Sequence, residues 1–508
     1  MTDPWATSPP SAPAVGSDLH LDLALTGPGG VRASLIRALR EAVRSGRLAP
    51  GTRLPSSRSL AADLGLARNT VADAYGELVA EGWLSARQGS GTRVAQRTAA
   101  GRPSAHRPGV QQHAAGHSLY AGSPDVSAFP RAAWLAAARR AVTAAPADAF
   151  GYGDLQGRIE LRRALADYLA RARGVRTDPE QIVVCAGFAQ GLALLSRALR
   201  QGGSQRQGGS LRQGGSLRQG GSQRLAVEAY GLSPHRELIV RSGLRTVPLA
   251  VDRHGARTGE LTRHPDVRAV LLTPAHQFPI GVPLHPERRA AVVDWARDVG
   301  GLVLEDDYDG EFRYDRQPVG ALQGLDPEHV GYLGTASKSL APGLRLGWMA
   351  LPGRLVDQVL AARTAAERPP DALTQLTLAE FVTSGGYDRH VRAMRLRYRR
   401  RRDRLVAALA ERVPAVRVSG IAAGMHAVLR LPPGTEQQAL RGASWLGLAV
   451  QGLAEFRHPE LAALPELPTE SAGPAGEITD ALVIGYGTPP EHGFAAALDA
   501  LCRTLEAL

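Results

Sequence analysis

The chain has 508 residues with 44% hydrophobic content, too long for one core at roughly 100–200 residues per domain and apolar enough for several. Its two cysteines, Cys185 and Cys502, exclude a disulfide framework and point to a reducing, cytoplasmic setting. A net charge of +12 permits an anionic partner such as DNA. The opening MTDPWATSPPSAPAVG lacks the basic-then-apolar order of a secretory signal, and no apolar run approaches the roughly 20 residues of a membrane span.

Residues 1–18 are rich in Pro, Ala and Ser and read as a disordered tail. Val31, Leu35, Ile36, Leu39 and Val43 then recur at helical spacing. GRLAPGTRLPSSRSLA follows, a turn and a short extended piece, with Ser56 or Ser57 capping a second helix. Gly65 ends that helix, and a third, from about Arg68 to Glu81, buries Val71, Tyr75, Leu78 and Val79. GWLSARQGSGTRV alternates about a Gly-Ser-Gly turn, as a β-hairpin does. Residues 95–118 have no acidic residue and little apolar periodicity, and read as a linker.

Three helices and a hairpin over residues 19–94 make a winged helix-turn-helix, with the third helix suited to the major groove and the hairpin to the backbone. Ten arginines against five acidic residues between 31 and 94 give it a net charge of +5. Arg68, Asn69 and Thr70 open the third helix, where side chains meet base edges or phosphates, and Arg58 suits a phosphate. LPSSRSLAADLGLARNTVADAYGELVAEGWLSARQGSGTRV resembles the signature of the GntR family of bacterial regulators. The resemblance implies DNA contacts from Arg58, Arg68, Asn69, Thr70 and the wing at Gly89, Ser90, Gly91 and Thr92. Asn69 is the sole asparagine of the chain.

From Leu119 to the end, apolar strands alternate with helical segments: QIVVCAG, RLAVEAY, AVLLTP, GGLVLEDD and VGYLGTASKS. The pattern predicts an α/β domain with a mostly parallel sheet covered on both faces. A smaller C-terminal subdomain is expected after about Pro369, where RLRYRRRRDRLVAAL reads as a long helix with a solvated, ion-paired face. Four tandem copies of a six-residue RQGGS unit occupy 200–223, closed by Arg224, and read as a flexible basic loop.

Lys338 is the chain's only lysine, in GTASKSLAPGLRLGW directly after a predicted strand. In a chain that otherwise uses arginine as its cation, a lone lysine points to amine chemistry that guanidinium cannot perform: condensation with the aldehyde of pyridoxal phosphate. Thr335, Ser337 and Arg345 offer hydroxyls and a bidentate donor for a phosphate. LVLEDDYDGEF supplies a carboxylate for a pyridine nitrogen, with Asp306 chosen over Glu305 and Asp307, and Tyr308 for the phenolic oxygen. Gly187, Phe188 and Ala189 sit at a strand–turn–helix junction suited to donating backbone N–H groups to the phosphate. No metal site is expected.

Together these elements resemble the fold-type I aminotransferases, and with the N-terminal domain they resemble the MocR group of GntR regulators across nearly the whole chain. The resemblance implies a pyridoxal phosphate Schiff base on Lys338, with Asp306 at the ring nitrogen, Tyr308 at the phenolic oxygen and Arg345 at the phosphate. TPAHQFPIG is similar to the segment where aminotransferases carry Asn-Pro-x-Gly, which offers His276 near the ring oxygen. FGYGDLQG is similar to the segment whose tyrosine, here Tyr152, reaches the neighbouring subunit's phosphate, implying a homodimer. The chain departs from the pattern in three places. Phe188 stands where a hydroxyl residue is common, Leu232 beside Tyr230 occupies the slot of the ring-stacking aromatic, and Val483 falls where an arginine holds a substrate carboxylate. The expected function is a DNA-binding regulator that senses pyridoxal phosphate or an amino compound, governing vitamin B6 or amine metabolism genes. The alternative is a working aminotransferase with an accessory DNA-binding domain.

Overall fold

The computed structural model describes residues 30–87, 91–95, 116–208, 223–314, 319–364, 367–463 and 480–508. The tail at 1–18, wing residues Gly89 and Ser90, most of the 95–118 linker and the repeats after Gly208 lie outside them. The chain divides into two compact units, Met1–Gln111 and Gln112–Leu508.

The first unit packs helices α1 (Gly30–Arg44), α2 (Ser57–Leu64) and α3 (Arg68–Ala80) about Leu35, Leu39, Leu60, Val71, Ala74 and Leu78. Ser56 caps α2, its hydroxyl accepting from the Ser59 N–H at 3.1 Å. Gly65 ends α2 at φ 65°, a left-handed conformation that costs glycine nothing and lets the chain turn into α3. Strands β1 (Leu84–Arg87) and β2 (Gly91–Val94) form the antiparallel wing, with Leu84 opposite Val94. Arg40 to Glu81, at 2.7 Å, ties α1 to the end of α3.

The second unit starts earlier than the sequence suggested. β3 (His117–Ser118) pairs in parallel with Leu448–Ala449, so the last two residues assigned to the linker belong to the sheet system. Helices α4 (Arg131–Ala144) and α5 (Ile159–Arg173) lead to β4 (Ile182–Cys185), α6 (Phe188–Gly208), β5 (Arg224–Glu228), α7 (Ser233–Arg241) and β6 (Arg245–Leu249). α6 runs eight residues past the predicted start of the flexible loop, because the apolar run Leu192–Leu199 carries the helix through the first repeat and into the second. A two-residue ladder of β7 (Val251–Asp252) and β8 (Gly255–Ala256) precedes β9 (Val267–Leu272), α8 (Pro286–Val299), β10 (Leu302–Asp306) and β11 (Val330–Thr335). Then come the one-turn α9 (Ala336–Ser339), β12 (Gly347–Ala350) and α10 (Gly353–Ala361).

The seven-stranded sheet has the order β4-β12-β11-β10-β9-β5-β6. Only β12 is antiparallel to its neighbours, and β12 and β6 are strands the hydrophobic pattern did not single out. Burial alternates along β4: Ile182 and Val184 join one core, Val183 and Cys185 the core on the opposite face. The sheet is thus covered on both sides, as near-continuous apolar strands require. α11 (Ala372–Thr383) packs with α5 into the core on the large sheet, and the C-terminal subdomain follows with α12 (Gly386–Arg412), β13 (Arg417–Ser419), β14 (Ala427–Arg430), α13 (Glu436–Trp445), β15 (Leu448–Ala449), β16 (Gln451–Gly452), β17 (Ala481–Ile484) and α14 (Glu491–Glu506). Its sheet, β13-β14-β17-β16, is antiparallel. The Arg-rich α12 is not wholly solvated. Arg401 is buried and paired with Asp125 at 2.9 Å and Glu491 at 2.8 Å. Among the described residues no helix is long and apolar enough to cross a membrane.

Candidate functional site

The carboxyl ends of β5, β9, β10 and β11 point the same way, and a cavity of about 320 Å3 lies where they end. Ligand sites of open α/β sheets form at this edge, because loops there converge while the strands fix their roots. Lys338, Asp306, Tyr308, Thr335, Ser337, Arg345, Gly187, Phe188 and Ala189 all line it. The structure therefore brings together every cofactor-site residue chosen from the sequence except His276 and Tyr152.

Each is placed by local structure. Thr335 ends β11 and caps α9, its hydroxyl accepting from the Ser337 N–H at 3.1 Å, so Lys338 leaves a fixed turn. The Lys338 amine donates to the carbonyl of Gly122. Burial pushes its pKa down, while Asp306 and Asp309 push it back up. Arg345 sits at φ 50°, left-handed backbone that a non-glycine residue adopts at some cost. That conformation aims its guanidinium at Gly187, whose own φ is 88°. No side chain or carbonyl of the described residues pairs with the Arg345 guanidinium, and it faces the first turn of α6, where unpaired N–H groups favour an anion.

Three carboxylates adjoin at the end of β10, and their partners separate them. Glu305 accepts from the N–H groups of Leu322 (2.7 Å) and Gln323 (2.9 Å). Asp307 is held bidentately by buried Arg173, at 2.6 and 3.0 Å, and accepts from the Tyr332 hydroxyl. Asp306 alone faces the cavity, and its Oδ1 is buried without a hydrogen-bond partner. Burial drives its pKa well above the ordinary carboxylate range, opposed by the charge of Lys338. A buried orphan acceptor is costly unless something donates to it, so the site fits a cationic or N–H group at that point.

His276 is a correction. It is 2% exposed and does not reach the cavity wall. It lies behind Tyr308, its Nδ1 2.9 Å from Asp309 Oδ2 and 3.2 Å from the Tyr308 hydroxyl. The proline and glycine of Asn-Pro-x-Gly set the register instead: they match Pro279 and Gly281, which puts Phe278 in the asparagine's place, and Phe278 does line the cavity. Tyr152 is 95% exposed and stands outside its own chain's cavity. Leu232 and Tyr230 both line the wall, together with Phe188 and His235, whose rings lie 4.7 Å apart.

Sequence reasoning missed Glu228, His235, Arg236 and Phe278 in the lining. Glu228 ends β5 as Asp306 ends β10, the one signal that could have found it. It is buried, accepts from the Thr273 hydroxyl at 2.5 Å, and has its pKa pushed up to about 7 by burial. Arg236 is spent on the carbonyls of Gly231, Phe456 and Arg457. Val483 is fully buried among Tyr230, Phe278, Tyr308 and Phe456, so an apolar cluster stands where a carboxylate-binding arginine would be.

In the first unit Arg58, Arg68 and Asn69 are exposed, Thr70 is half-buried, and Gly91 and Thr92 open the second wing strand. α3 begins at Arg68 with no side-chain cap, and within its first turn the Thr70 N–H donates to the Ala67 carbonyl at 3.0 Å.

The model of the bacterial regulatory proteins, gntR family, matches residues 32–94, and that of aminotransferase class I and II matches 119–206 and 231–453. The HTH-type pyridoxine biosynthesis transcriptional regulator PdxR of Corynebacterium glutamicum is 32% identical over 423 residues, 81% of this chain and 86% of that protein. The probable rhizopine catabolism regulatory protein MocR of Rhizobium meliloti is 32% identical over 441 residues, 82% of this chain and 84% of that one. Among solved structures, LysN, an alpha-aminoadipate aminotransferase of Thermus thermophilus complexed with N-(5'-phosphopyridoxyl)-L-leucine, superposes with a TM-score of 0.62. At 23% identity, over 77% of this chain and 92% of LysN, that likeness shows the fold-type I architecture alone. The chain belongs to the MocR-type HTH transcriptional regulators, in which a GntR winged helix precedes an aminotransferase class I and II domain.

Proposed function

We propose that this regulator binds pyridoxal phosphate at Lys338 and that occupancy of the cavity shifts a homodimer between two DNA-binding arrangements. The observation that carries the reading is one cavity holding the chain's only lysine, an unpartnered buried carboxylate oxygen on Asp306 and an unpaired Arg345 guanidinium. These match the aldehyde, the ring nitrogen and the phosphate of one molecule.

Pyridoxal phosphate, when bound, supplies an aldehyde that condenses with amines and an electron-withdrawing ring. Lys338, its pKa lowered by burial, holds its amine closer to the neutral, nucleophilic form. Asp306 accepts from the protonated ring nitrogen. Arg345, the hydroxyls of Thr335 and Ser337, and the N–H groups of Phe188 and Ala189 hold the phosphate. Tyr308, kept protonated by burial and by Asp309, donates to the phenolic oxygen. Phe278, Tyr230 and Leu232 exclude water from the rest of the wall.

Val483 favours sensing over turnover. Without an arginine there, an amino acid's carboxylate would be desolvated against Phe278 and Phe456 unpaired, which costs several kcal/mol. The effector is therefore pyridoxal phosphate itself or an amine lacking that carboxylate. The name of the pyridoxine biosynthesis relative supports vitamin B6 genes as the target. A second chain completes the site with Tyr152, whose 95% exposure leaves it free to reach a partner. The paired winged helices read two half-sites of a cytoplasmic DNA operator through Arg58, Arg68, Asn69, Thr70 and the wing at 89–92.

Borohydride reduction of the full chain mixed with pyridoxal phosphate, followed by peptide mass spectrometry, tests the site. The expected result is one phosphopyridoxyl adduct, on Lys338. No adduct, with Lys338 accessible to acylation, sinks the proposal.

A further inference from the structure

Behind the cavity a buried polar chain runs from Asp309 through His276 to His426. His276 and Asp309 are both 2% exposed, and His426 is 4% exposed. Asp309 Oδ2 lies 2.9 Å from His276 Nδ1 and a carboxylate only accepts, so Nδ1 carries the ring proton. The same Nδ1 is 3.2 Å from the Tyr308 oxygen, while the Tyr308 hydroxyl donates to the His276 carbonyl at 3.0 Å. His426 donates from Nε2 to the Pro279 carbonyl at 3.0 Å and packs its ring 4.8 Å from that of His276. Burial and the neighbouring His276 push the pKa of His426 down to about 3, so it adds no charge. Gly424 closes the arrangement at φ 72°, where any Cβ would overlap both Asp309 and His276.

We propose that Asp309 and His276 form a relay behind Tyr308 that readies its hydroxyl to donate to the ring oxygen of the bound cofactor, and so sets the pH at which the cofactor's chromophore exchanges its proton. The inference rests on pyridoxal phosphate occupying the cavity. When a ring oxygen arrives, the Tyr308 hydrogen turns from the His276 carbonyl to that oxygen. The Tyr308 oxygen then accepts from Nδ1–H, which Asp309 also holds. No proton changes owner: the relay redistributes hydrogen bonds, and Nδ1–H strengthens Tyr308 as a donor by polarising it. The charged and titratable groups facing Tyr308 are Asp309, Asp306 and Glu228, with His276 behind it and Lys338 on the same cavity wall. His276 and Asp309 touch no ligand and are positioning residues.

The two members pull in opposite directions, which separates a relay from a structural prop. His276→Ala removes the donor to Tyr308, weakens the hydrogen bond to the ring oxygen, and makes its deprotonated form harder to reach. Asp309→Asn keeps an oxygen that accepts from Nδ1–H but removes the negative charge that competes with Tyr308 for it, easing deprotonation. In the full-length protein loaded with pyridoxal phosphate, the pH midpoint of the visible absorbance change should rise in His276→Ala by about half to one pH unit, the size of one hydrogen bond. It should fall in Asp309→Asn. His276→Asn, whose amide N–H reaches the Nδ1 position, should restore the wild-type midpoint. In a Tyr308→Phe background His276→Ala should have no further effect. If His276→Ala does not fold, Asp309→Asn carries the test: its downward shift should be larger with the Tyr308 hydroxyl present than in a Tyr308→Phe background, because the lost charge alone acts equally in both. Coincident titrations in all variants, or an equal His276→Ala shift without the Tyr308 hydroxyl, would overturn the relay. A wild-type chain with no cofactor band overturns the cofactor reading and the relay with it, whereas a normal band with immovable midpoints overturns the relay alone.

Discussion

The two units put charge to opposite uses. In the winged helix Arg58 and Arg68 stand exposed with Asn69, open to a partner that approaches from outside. In the large domain Asp306 and Glu228 are buried beside Asp309 and the Arg173–Asp307 pair, and burial pushes the pKa of both Asp306 and Glu228 up. An exposed arginine contributes whenever a phosphate approaches, and salt screens it. A buried carboxylate has a shifted pKa before any ligand arrives. The same chain thus carries an exposed cationic surface and a buried interior whose carboxylates titrate out of their ordinary range.

The largest expected effect breaks that comparison cleanly. Lys338→Ala should abolish the reducible adduct while the isolated operator affinity of the winged helices persists, measured by mass spectrometry and by DNA titration without cofactor. Arg345→Gln should weaken retention of pyridoxal phosphate about tenfold or more, the worth of charge-assisted hydrogen bonds, as read by equilibrium dialysis. Asn69→Ala or Arg68→Ala should cost about 1–3 kcal/mol against the operator and relax preference at one position. Arg58→Ala should instead weaken all sequences alike and flatten the salt dependence. None of the three should move the cofactor spectrum.

The smallest effect is in the interior. Glu228 has a folded pKa raised to about 7 from an ordinary 4.5, so the folded form binds a proton more tightly than the unfolded chain. Its contribution to stability is complete below about pH 4.5 and is lost as pH rises through 7. Glu228→Gln should therefore flatten the fall in the large domain's melting temperature between those pH values. An unchanged slope would mean that Glu305 and Glu311, likewise raised to about 7, govern it.

Most of this architecture was legible in the sequence because local rules and the global fold agree. The Ser56 cap, the Gly65 stop and the alternation about the wing each have a local cause, and each appears in place. The lone lysine stood out because, in a chain that otherwise uses arginine as its cation, it points to amine chemistry that guanidinium cannot perform. What was hidden depends on distant partners. Asp306 differs from Asp307 because Arg173, 134 residues away in sequence, and Tyr332 claim the latter. His276 looked like a ring contact, but the register is set by Pro279 and Gly281, and the imidazole turns back to Asp309. Glu228 carried no motif at all. Its role comes from strand order, which sets the ends of β5, β9 and β10 side by side.

The most direct test of the central claim is operator affinity at fixed salt, titrated with and without pyridoxal phosphate in the wild type and in Lys338→Ala. Coupling of about 1–3 kcal/mol in the wild type, and none in the variant, is the predicted result. Identical affinities in all four titrations would contradict the account, leaving a DNA-binding protein whose large domain holds a cofactor without reporting it.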